Sequence, residues 1–382
     1  MSQSFTIPFN KPYLTGLEQT LINQALEEGY LHGNGRFTKK SQAELEKLTG
    51  CQKVLLTHSC TGALEMSILL ADIKPGDEVI MPSYTFVSTA NAVVLQGGVP
   101  VFVDIRVDTL NIDETKIEEA ITPSTKAILC VHYAGVACEM DTICAIANKH
   151  NLFVIEDAAQ GIDATYKNKA LGTLSDAGTF SFHATKNIIS GEGGALLVNN
   201  SMWVERAEML WEKGTNRKKF LLGQVDKYSW VDKGSSFLPS EVTAAFLVAQ
   251  LESVKKITER RLKIWDHYHQ VLAPLEKQGK LTRPTIPPEC QHNAHIYYIL
   301  LNDGEGRNVL MDHLRAQGIQ PVTHYVPLHD SLAGRKFART VGDLSVTQKA
   351  ANTILRLPLF PELTEKQVEF IADVIEGFLK DQ

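Results

Sequence analysis

The sequence predicts an α/β fold, in which helices flank a mostly parallel β-sheet. Three features of the chain lead to this prediction. Short apolar segments alternate with helical segments from residue 54 to residue 198. The apolar segments are continuous, which is typical of parallel strands that are buried on both faces. Polar residues follow directly after several of these strands, at the sheet edge where ligands of such folds gather.

The order of the elements follows from the apolar periodicity and the turn residues. Two helices come first, at 14–28 and 37–48, and a glycine-bearing loop at 29–35 separates them. Strands are predicted at 54–56, 79–81, 99–103, 127–131, 152–155, 179–182 and 195–198. Helices are predicted between them at 61–70, 87–95, 114–121 and 140–150, and Pro75-Gly76-Asp77 forms a turn.

The second half of the chain predicts a smaller domain. One long helix is expected at 242–261, and it connects to a region with a strand at 296–301 and helices at 308–317 and 365–378. We therefore expect a large domain over residues 1–262, which includes the N-terminal helical segment. A C-terminal α+β domain follows over residues 263–382.

Composition narrows the possible partners. The formal net charge of −6 argues against broad attraction to nucleic acid or to an acidic membrane. None of the six cysteines forms a CxxC pair, so a reduced, cytoplasmic protein is the simplest interpretation. Met1 to Asn10 contains no apolar segment of signal-peptide length. No apolar stretch is long enough to span a bilayer.

Lys186 and Asp157 carry the strongest chemical signal. Asp157 ends an apolar strand, and Lys186 follows the next predicted strand 29 positions later. A lysine amine can condense with an aldehyde cofactor. An aspartate can keep the pyridine nitrogen of that cofactor protonated, which makes the ring an electron sink. The pair therefore indicates pyridoxal 5′-phosphate (PLP) chemistry, although either residue could instead be an ordinary surface or capping residue.

Other residues at the same sheet edge could complete such a site. Ser59, Cys60 and Thr61 lie where a strand gives way to a helix, a place that favours an anion such as phosphate; the alternative is simple N-capping. Gln160 follows Asp157 closely enough to reach the phenolic oxygen of the cofactor. Phe86 could cover one face of the ring or be a core aromatic.

The histidines predict no metal site. The pairs His292-x-x-His295 and His267-x-His269 lack a third ligand at convincing spacing. The segment 324–329 differs, because it places His324, Tyr325 and His329 in a proline-bearing loop. That loop could be a plain turn or could contact a substrate. Because no GxxxxGK[ST] or GxGxxG motif is present, nucleoside triphosphate and dinucleotide sites are not expected.

Taken together, these residues resemble the DegT–StrS family of PLP-dependent sugar-nucleotide aminotransferases, most densely over residues 154–194. The resemblance implies the fold-type I aminotransferase architecture and a homodimer with shared active sites. It assigns Lys186 to the cofactor aldehyde, Asp157 to the pyridine nitrogen and Gln160 to the phenolic oxygen. It assigns phosphate contacts to Cys60, Thr61 and Ser181, and ring stacking to Phe86.

The segments 213–217 and 234–238 resemble a narrower branch, which transfers the amino group of L-glutamate to C4 of a dTDP-4-keto-6-deoxyhexose. Most of the family uses an asparagine in a Gly-x-Asn-x-Arg segment to reach the phosphate across the dimer interface. Ser236 and Leu238 stand at those positions here, so Ser236 is the candidate for that contact. Lys213, His324, Tyr325 and His329 are the candidate substrate contacts.

Three alternatives remain open at the level of sequence. The enzyme could act at C3 of a related keto sugar, or give a gluco-configured C4 amine. The chain could be a non-catalytic regulator that binds PLP or a sugar nucleotide. It could also be a phosphosugar enzyme that uses only the Ser59–Thr61 segment.

Overall fold

The computed structural model describes residues 6–380. Residues 1–5 and 381–382, at the outer ends of the two predicted domains, lie outside the described residues. The helices are α1 Glu18–Glu28, α2 Arg36–Thr49, α3 Cys60–Leu70, α4 Val87–Val94, α5 Ile117–Ala120, α6 Met140–His150, α7 Val204–Trp211, α8 Arg217–Leu221, α9 Glu241–Leu251, α10 Val254–Val271, α11 Ala273–Lys277, α12 Gly304–Ala316, α13 Leu332–Phe337, α14 Ser345–Thr353 and α15 Glu365–Lys380.

The strands complete the set of elements. They are β1 Lys53–Thr57, β2 Glu78–Pro82, β3 Val99–Val103, β4 Thr125–Val131, β5 Phe153–Asp157, β6 Thr165–Tyr166, β7 Lys169–Ala170, β8 Ala177–Ser181, β9 Gly194–Val198, β10 Leu281–Thr282, β11 Cys290–Gln291, β12 Tyr297–Leu301, β13 Arg339–Thr340 and β14 Ile354–Leu357. Among residues 6–380, no helix is both long and apolar enough to cross a membrane.

One sheet of eight strands dominates the fold. Its strand order is β1-β9-β8-β5-β4-β2-β3-β13. Strand β9 pairs antiparallel with both β1 and β8, while the other pairs of neighbours are parallel. Apart from the edge strand β13, the strands of this sheet are almost completely buried, as expected for a sheet with helices on both faces. The predicted α/β class, with a mostly parallel sheet, is therefore confirmed.

A smaller antiparallel sheet forms after residue 280. Its order is β10-β12-β14, and it packs with α10, α12 and α15 around a separate apolar core. Strand β13 also belongs to this part of the sequence, but it pairs with β3 at the edge of the large sheet. The C-terminal region therefore contacts the large sheet directly. The division at residue 262 stays a prediction.

The expected single helix at 242–261 is wrong in one respect. The structure has two helices, α9 and α10, with an interruption at Glu252–Ser253. Helix α9 packs against α1 and α2, and eight of its eleven residues are buried. Helix α10 packs against α15 and exposes one polar face. The two halves have different packing partners, a difference that a continuous helical pattern in the sequence does not reveal.

Candidate active site

A cavity of about 590 Å³ lies at the carboxyl ends of the parallel strands. Val131, Asp157 and Ser181 end strands β4, β5 and β8, and all three line it. Residues 323–325 and Arg356, a residue of β14, also line it. The cavity is therefore enclosed by the edge of the large sheet and by residues of the C-terminal region. This is where ligands of open parallel sheets bind.

Most of the residues singled out from the sequence meet in this cavity. Those that line it are Cys60, Thr61, Phe86, Asp157, Gln160, Ser181, Lys186, His324 and Tyr325. They come from separate parts of the chain, so their convergence depends on the fold. Their individual roles stay predictions.

Three predicted site residues do not line this cavity. Lys213 and Ser236 border a separate depression of about 350 Å³, which Arg217 also borders. The Nδ1 atom of His329 lies 2.7 Å from Oγ of Ser83, and the backbone N–H of His329 donates to the same oxygen at 3.1 Å. His329 therefore fixes its own loop to the turn after β2.

Asp157 is a buried carboxylate with few partners. Its side chain accepts a hydrogen bond from the Thr89 hydroxyl at 2.8 Å and another from the Ala159 backbone N–H at 3.1 Å. The Thr89 hydroxyl is 2.8 Å from the Thr85 hydroxyl, which fixes its position. Burial raises the pKa of Asp157, and the hydrogen bond from Thr89 opposes that shift. A buried carboxylate of this kind is stabilised by a cationic partner.

Lys186 stands half-buried on the cavity wall, in the loop between β8 and β9. Burial lowers its pKa, against the opposing effects of Cys60 and Asp157. Its backbone N–H donates to the carbonyl of His183 at 2.9 Å. The next residue, Asn187, donates from its side chain to the Asn293 carbonyl at 2.9 Å. The loop is therefore fixed on both sides of an amine that loses its proton more readily than a solvated lysine.

The N-terminus of α3 borders the cavity and has free hydrogen-bond donors of the kind that suit an anion. The Ser59 hydroxyl accepts a hydrogen bond from the Gly62 N–H at 3.0 Å. Within residues 6–380, the backbone N–H groups of Cys60 and Thr61 have no acceptor, as is usual in a first helical turn. Burial raises the pKa of the Cys60 thiol to about 12, so its thiol is neutral and its contribution to anion binding is the backbone N–H.

Gly194 keeps this helix terminus close to the sheet. A Cβ atom at Gly194 would lie 2.3 Å from the backbone nitrogen of Cys60, which no side chain can occupy. The glycine lets β9 pass directly against the first turn of α3. The Thr61 hydroxyl, 2.8 Å from that of Ser88, adds polar groups beside the free N–H groups. A phosphate would find both hydroxyl and backbone donors here.

A chain of polar contacts joins the large sheet to the C-terminal region. The Gln160 side chain accepts a hydrogen bond from the Ala134 N–H at 2.7 Å and donates to the Tyr325 hydroxyl at 2.9 Å. The His324 ring stacks on Tyr325, and its Nδ1 lies 2.6 Å from the Tyr133 hydroxyl. Burial lowers the pKa of His324 well below its usual value, so its ring is neutral.

Thr89 and Arg356 are among the cavity residues that sequence reasoning missed. Thr89 lies inside a helical segment and gives no signal of its own in the sequence. Arg356 does give a signal in the sequence, because a cation interrupts the apolar run Ile354–Leu357 of a buried strand. That signal could have been found, since a charged residue in a buried strand needs a partner.

The residues of the cavity fit PLP. Lys186 provides an amine for the aldehyde, and Asp157 provides a buried anion for the pyridine nitrogen. The N-terminus of α3, with Thr61 and Ser181 nearby, provides donors for the phosphate.

Comparison with known proteins supports this interpretation. The model of the DegT/DnrJ/EryC1/StrS aminotransferase family matches residues 12–376. The uncharacterized protein MJ1066 of Methanocaldococcus jannaschii is 34% identical over 386 residues, which cover 99% of each chain. DesV of S. venezuelae is 30% identical, with a TM-score of 0.90 and coverage of 98% of each chain. DesI, solved in the presence of its TDP-sugar product, is 25% identical with a TM-score of 0.87, and the match covers 99% of this chain and 94% of DesI.

The family match covers nearly the whole chain, and the cavity contains the groups that the family's cofactor requires. The chain therefore belongs to the DegT/DnrJ/EryC1/StrS aminotransferase family and is a PLP-dependent transaminase.

Proposed function

We propose that this enzyme transfers the amino group of L-glutamate to C4 of dTDP-4-dehydro-6-deoxy-D-glucose. The product is dTDP-4-amino-4,6-dideoxy-D-galactose, a precursor for cell-surface glycans such as enterobacterial common antigen. The observation that carries the transamination is the meeting of Lys186 and Asp157 in one cavity. The sugar nucleotide is supported by the likeness to DesI, which was solved with a TDP-sugar product.

The choice of C4 and of the galacto product depends on the segments 213–217 and 234–238. These two segments pack on each other: the Lys213 N–H donates to the Ser235 carbonyl at 3.1 Å, and Glu212 forms an isolated bridge with Ser236. A Cβ atom at Gly214 would lie 1.9 Å from the carbonyl oxygen of Asp232, so the close contact requires glycine. The two stretches that resemble the C4 branch therefore form one structural unit.

In the proposed reaction, Lys186 moves the proton. When bound, PLP supplies the electron sink that makes the α-carbon proton of the donor acidic. The lowered pKa of Lys186 leaves its amine able to accept that proton, and the same amine returns a proton to C4 of the sugar in the second half-reaction. Asp157 holds the proton on the pyridine nitrogen, and Thr89 holds Asp157 in place. Because the reaction runs as two separate half-reactions, we expect ping-pong kinetics.

We also propose a homodimer in which each active site is completed by the neighbouring chain. Lys213 and Ser236 border a depression separate from the cavity. Large apolar side chains are exposed in the adjoining segment, including Trp230 at 81% and Leu221 at 68%. Burying these side chains against a second copy would remove them from water. In such a dimer Ser236 and Lys213 are the residues we expect to reach the partner's cavity.

We place the reaction in the cytoplasm, since all six cysteines are free in the structure. His324 and Tyr325, which line the cavity, are the residues we propose to contact the sugar. His329 stays a weaker candidate, because its ring is engaged with Ser83.

The test is product analysis. Purified enzyme loaded with PLP is incubated with L-glutamate and either dTDP-4-keto-6-deoxyglucose or the corresponding 3-keto sugar, and the products are analysed by NMR. We expect an axial amine at C4 from the first substrate only. An equatorial C4 amine or a C3 amine would show that the enzyme catalyses one of the alternative reactions instead of the proposed one. A yellow protein that does not bleach with L-glutamate would indicate a binding protein instead.

A further inference from the structure

His295 is a histidine on the cavity wall that the proposed proton transfers do not involve. It lies between β11 and β12, is 7% exposed and lines the cavity, as Lys186 does. Its companion in the sequence pair, His292, does not line the cavity. The His292 ring packs against Trp265, with 4.4 Å between the ring centres, and its Nδ1 accepts the Ala294 N–H at 3.2 Å. Of the two histidines, only His295 is placed to act on the reacting groups.

Hydrogen bonds define which nitrogen of the His295 ring carries the hydrogen. The side-chain amide of Asn187 donates through Nδ2 to the Asn293 carbonyl at 2.9 Å. A carbonyl only accepts, so the amide oxygen of Asn187 must face the His295 ring, where it lies 2.9 Å from Nδ1. That oxygen also only accepts, so Nδ1 of His295 carries the hydrogen and donates it.

The groups around the ring keep it neutral. Burial lowers the pKa of His295 well below its usual value. The neighbouring groups that act in the same direction are Lys186, Arg261, Arg356 and His324. A neutral ring with its hydrogen on Nδ1 carries a lone pair on Nε2, and within residues 6–380 no group donates to Nε2. His295 therefore offers the cavity an uncharged hydrogen-bond acceptor.

The backbone that carries this ring is fixed. The buried Arg261 donates to the carbonyls of Ala294 and His295, at 3.0 and 2.7 Å. Ala294 has a φ of 51°, in the left-handed region that residues other than glycine rarely adopt. Such backbone strain persists where the surrounding structure imposes it, and it is frequent at functional sites. With Asn187 on its Nδ1, the ring has a set position before any ligand binds.

The donor that best fits the free acceptor is the Lys186 side chain. Lys186 directly precedes Asn187, the residue that orients the ring, and its charge acts on His295. Within the described residues the Lys186 amine forms no hydrogen bond, whereas an ammonium group has three N–H groups to satisfy. Asp157 also acts on this amine, but it is assigned to the pyridine nitrogen. His295 offers an acceptor that no other role requires.

Other titratable groups near the Lys186 amine do not supply such an acceptor. Cys60 bears a neutral thiol, which accepts hydrogen bonds weakly, and Arg356 has donors alone. His183 and Glu192 also line the cavity. They lie 3.7 Å from each other, and their side chains are 44% and 74% exposed, so water and salt screen their effect on the amine.

We propose that His295 is a positioning residue for Lys186, whose ammonium group donates a hydrogen bond to Nε2 of His295 while it carries the proton taken from the substrate. The proton stays on Lys186, and no covalent bond forms or breaks at His295. This inference rests on the role proposed for Lys186 and does not depend on which keto sugar accepts the amine. It gives a function to a histidine that stays neutral among three cations.

Two replacements separate the two ring nitrogens. His295→Asn keeps a donor where Nδ1 stands and removes the acceptor at Nε2, whereas His295→Gln brings an amide oxygen near the position of Nε2 and removes the donor to Asn187. His267→Asn is the control, because His267 does not line the cavity and its Nε2 lies 3.5 Å from the Glu369 carboxylate.

The first measurements use the protein without PLP. Competitive labelling with acetic anhydride, followed by mass spectrometry, gives the pKa of the Lys186 amine in each variant. Nitrogen NMR of protein labelled with ¹⁵N-histidine reports which ring nitrogen of His295 carries the hydrogen. The PLP-loaded proteins are then mixed with L-glutamate, and the rate of bleaching is measured as a function of the L-glutamate concentration.

We expect the hydrogen on Nδ1 in the wild type at neutral pH. Loss of a hydrogen bond to a charged group should lower the pKa of Lys186 by about one pH unit in His295→Asn. In His295→Gln the fall should be less than half as large, and His267→Asn should match the wild type. The maximal bleaching rate of His295→Asn should fall about three- to tenfold, while the half-saturating L-glutamate concentration stays within about twofold.

An unchanged pKa of Lys186 in His295→Asn would overturn the inference. So would a hydrogen on Nε2 in the wild type, or an equal fall of the Lys186 pKa in His295→Gln. If neither His295 variant folds, Lys186→Ala decides. At a pH below the measured pKa of Lys186, the Nε2 resonance should move in Lys186→Ala toward that of a nitrogen without a hydrogen bond, and an unmoved resonance would contradict the inference.

Failure of the proposed function gives a different result. A wild-type enzyme that bleaches with L-glutamate but does not aminate the C4 keto sugar would refute the proposed function. The response of the Lys186 pKa to His295→Asn would still support the contact between the two residues.

Discussion

Replacing Asp157 by asparagine should change the stability of the protein in opposite directions with and without PLP. Asp157 is 5% exposed and has two hydrogen-bond donors. Without cofactor its burial raises its pKa. A raised pKa in the folded state means that its contribution to stability is complete below the unfolded value, about 3.9. That contribution is lost as the pH rises through the folded-state value.

The apo form should therefore benefit from the substitution at neutral pH. Asparagine has the same shape and no charge, so Asp157→Asn apo-protein should be at least as stable as the wild type at pH 7. The advantage should grow as the pH rises from about 4, because only the wild type loses stability over that range through this group.

In the PLP-loaded form, the substitution Asp157→Asn should lower the stability of the protein. Pyridoxal phosphate at 100 times its dissociation constant stabilises by about 2.7 kcal/mol. A chain of 382 residues unfolds with an entropy of roughly 0.8 kcal/mol per kelvin, so this corresponds to a rise in Tm of about 3 °C. Removing one partner of a buried ion pair costs about 3–5 kcal/mol. The Tm shift on adding PLP should therefore fall below about 0.5 °C in the variant.

The assay is thermal unfolding of the apo and PLP-loaded proteins, measured by calorimetry from about pH 4 to about pH 8. Asp176→Asn is the control, because Asp176 also accepts a backbone N–H at a strand end, that of Val154 at 2.9 Å, but does not line the cavity. It should alter both forms equally. A full PLP-induced Tm shift in Asp157→Asn would refute the role assigned to the carboxylate.

Three further predictions concern the same site. Lys186→Ala should abolish transamination while the protein stays folded and dimeric, and turnover at the wild-type rate would contradict the role of the amine. Gly194→Ala should weaken PLP binding at least tenfold, because its Cβ would lie 2.3 Å from the Cys60 nitrogen at the proposed phosphate site; equilibrium dialysis measures this. Mixing Lys186→Ala with Ser236→Asp should restore activity through hybrid dimers if Ser236 serves the partner's site, and no recovery would place Ser236 outside it.

The sequence predicts the large sheet well, because its strands are short apolar runs separated by turns. It does not predict the direction of β9, since a strand buried on both faces has the same pattern whether it is parallel or antiparallel. It does not predict β13 either. Two residues, Arg339 and Thr340, join the sheet through contacts that come from the C-terminal region and leave no local signal.

The residues of the candidate site also fall into those that the sequence predicts and those that it does not. Asp157 and Ser181 stand at strand ends, and the register of the sheet places them together: Asp157 pairs with Val131 on one side and Thr179 on the other. The local sequence pattern is sufficient to predict that such residues lie at the same edge of the sheet. Thr89 and Arg356 enter the cavity only through long-range packing. His329 was expected near a substrate, but its ring is engaged by Ser83, a contact between residues 246 positions apart.

The cavity residues come from two parts of the fold, and this has a consequence for substrate specificity. The groups proposed to hold the cofactor belong mainly to the large sheet and the helices that follow its strands, whereas Thr323, His324, Tyr325 and Arg356 come from the C-terminal region. Because different parts of the fold position the two sets, a change at His324, whose ring contacts Tyr133, removes no hydrogen bond of Asp157 or Lys186. Family membership therefore fixes the cofactor chemistry more firmly than it fixes the sugar. His324 and Tyr325, the residues proposed to contact the sugar, belong to the part of the cavity wall that the C-terminal region provides.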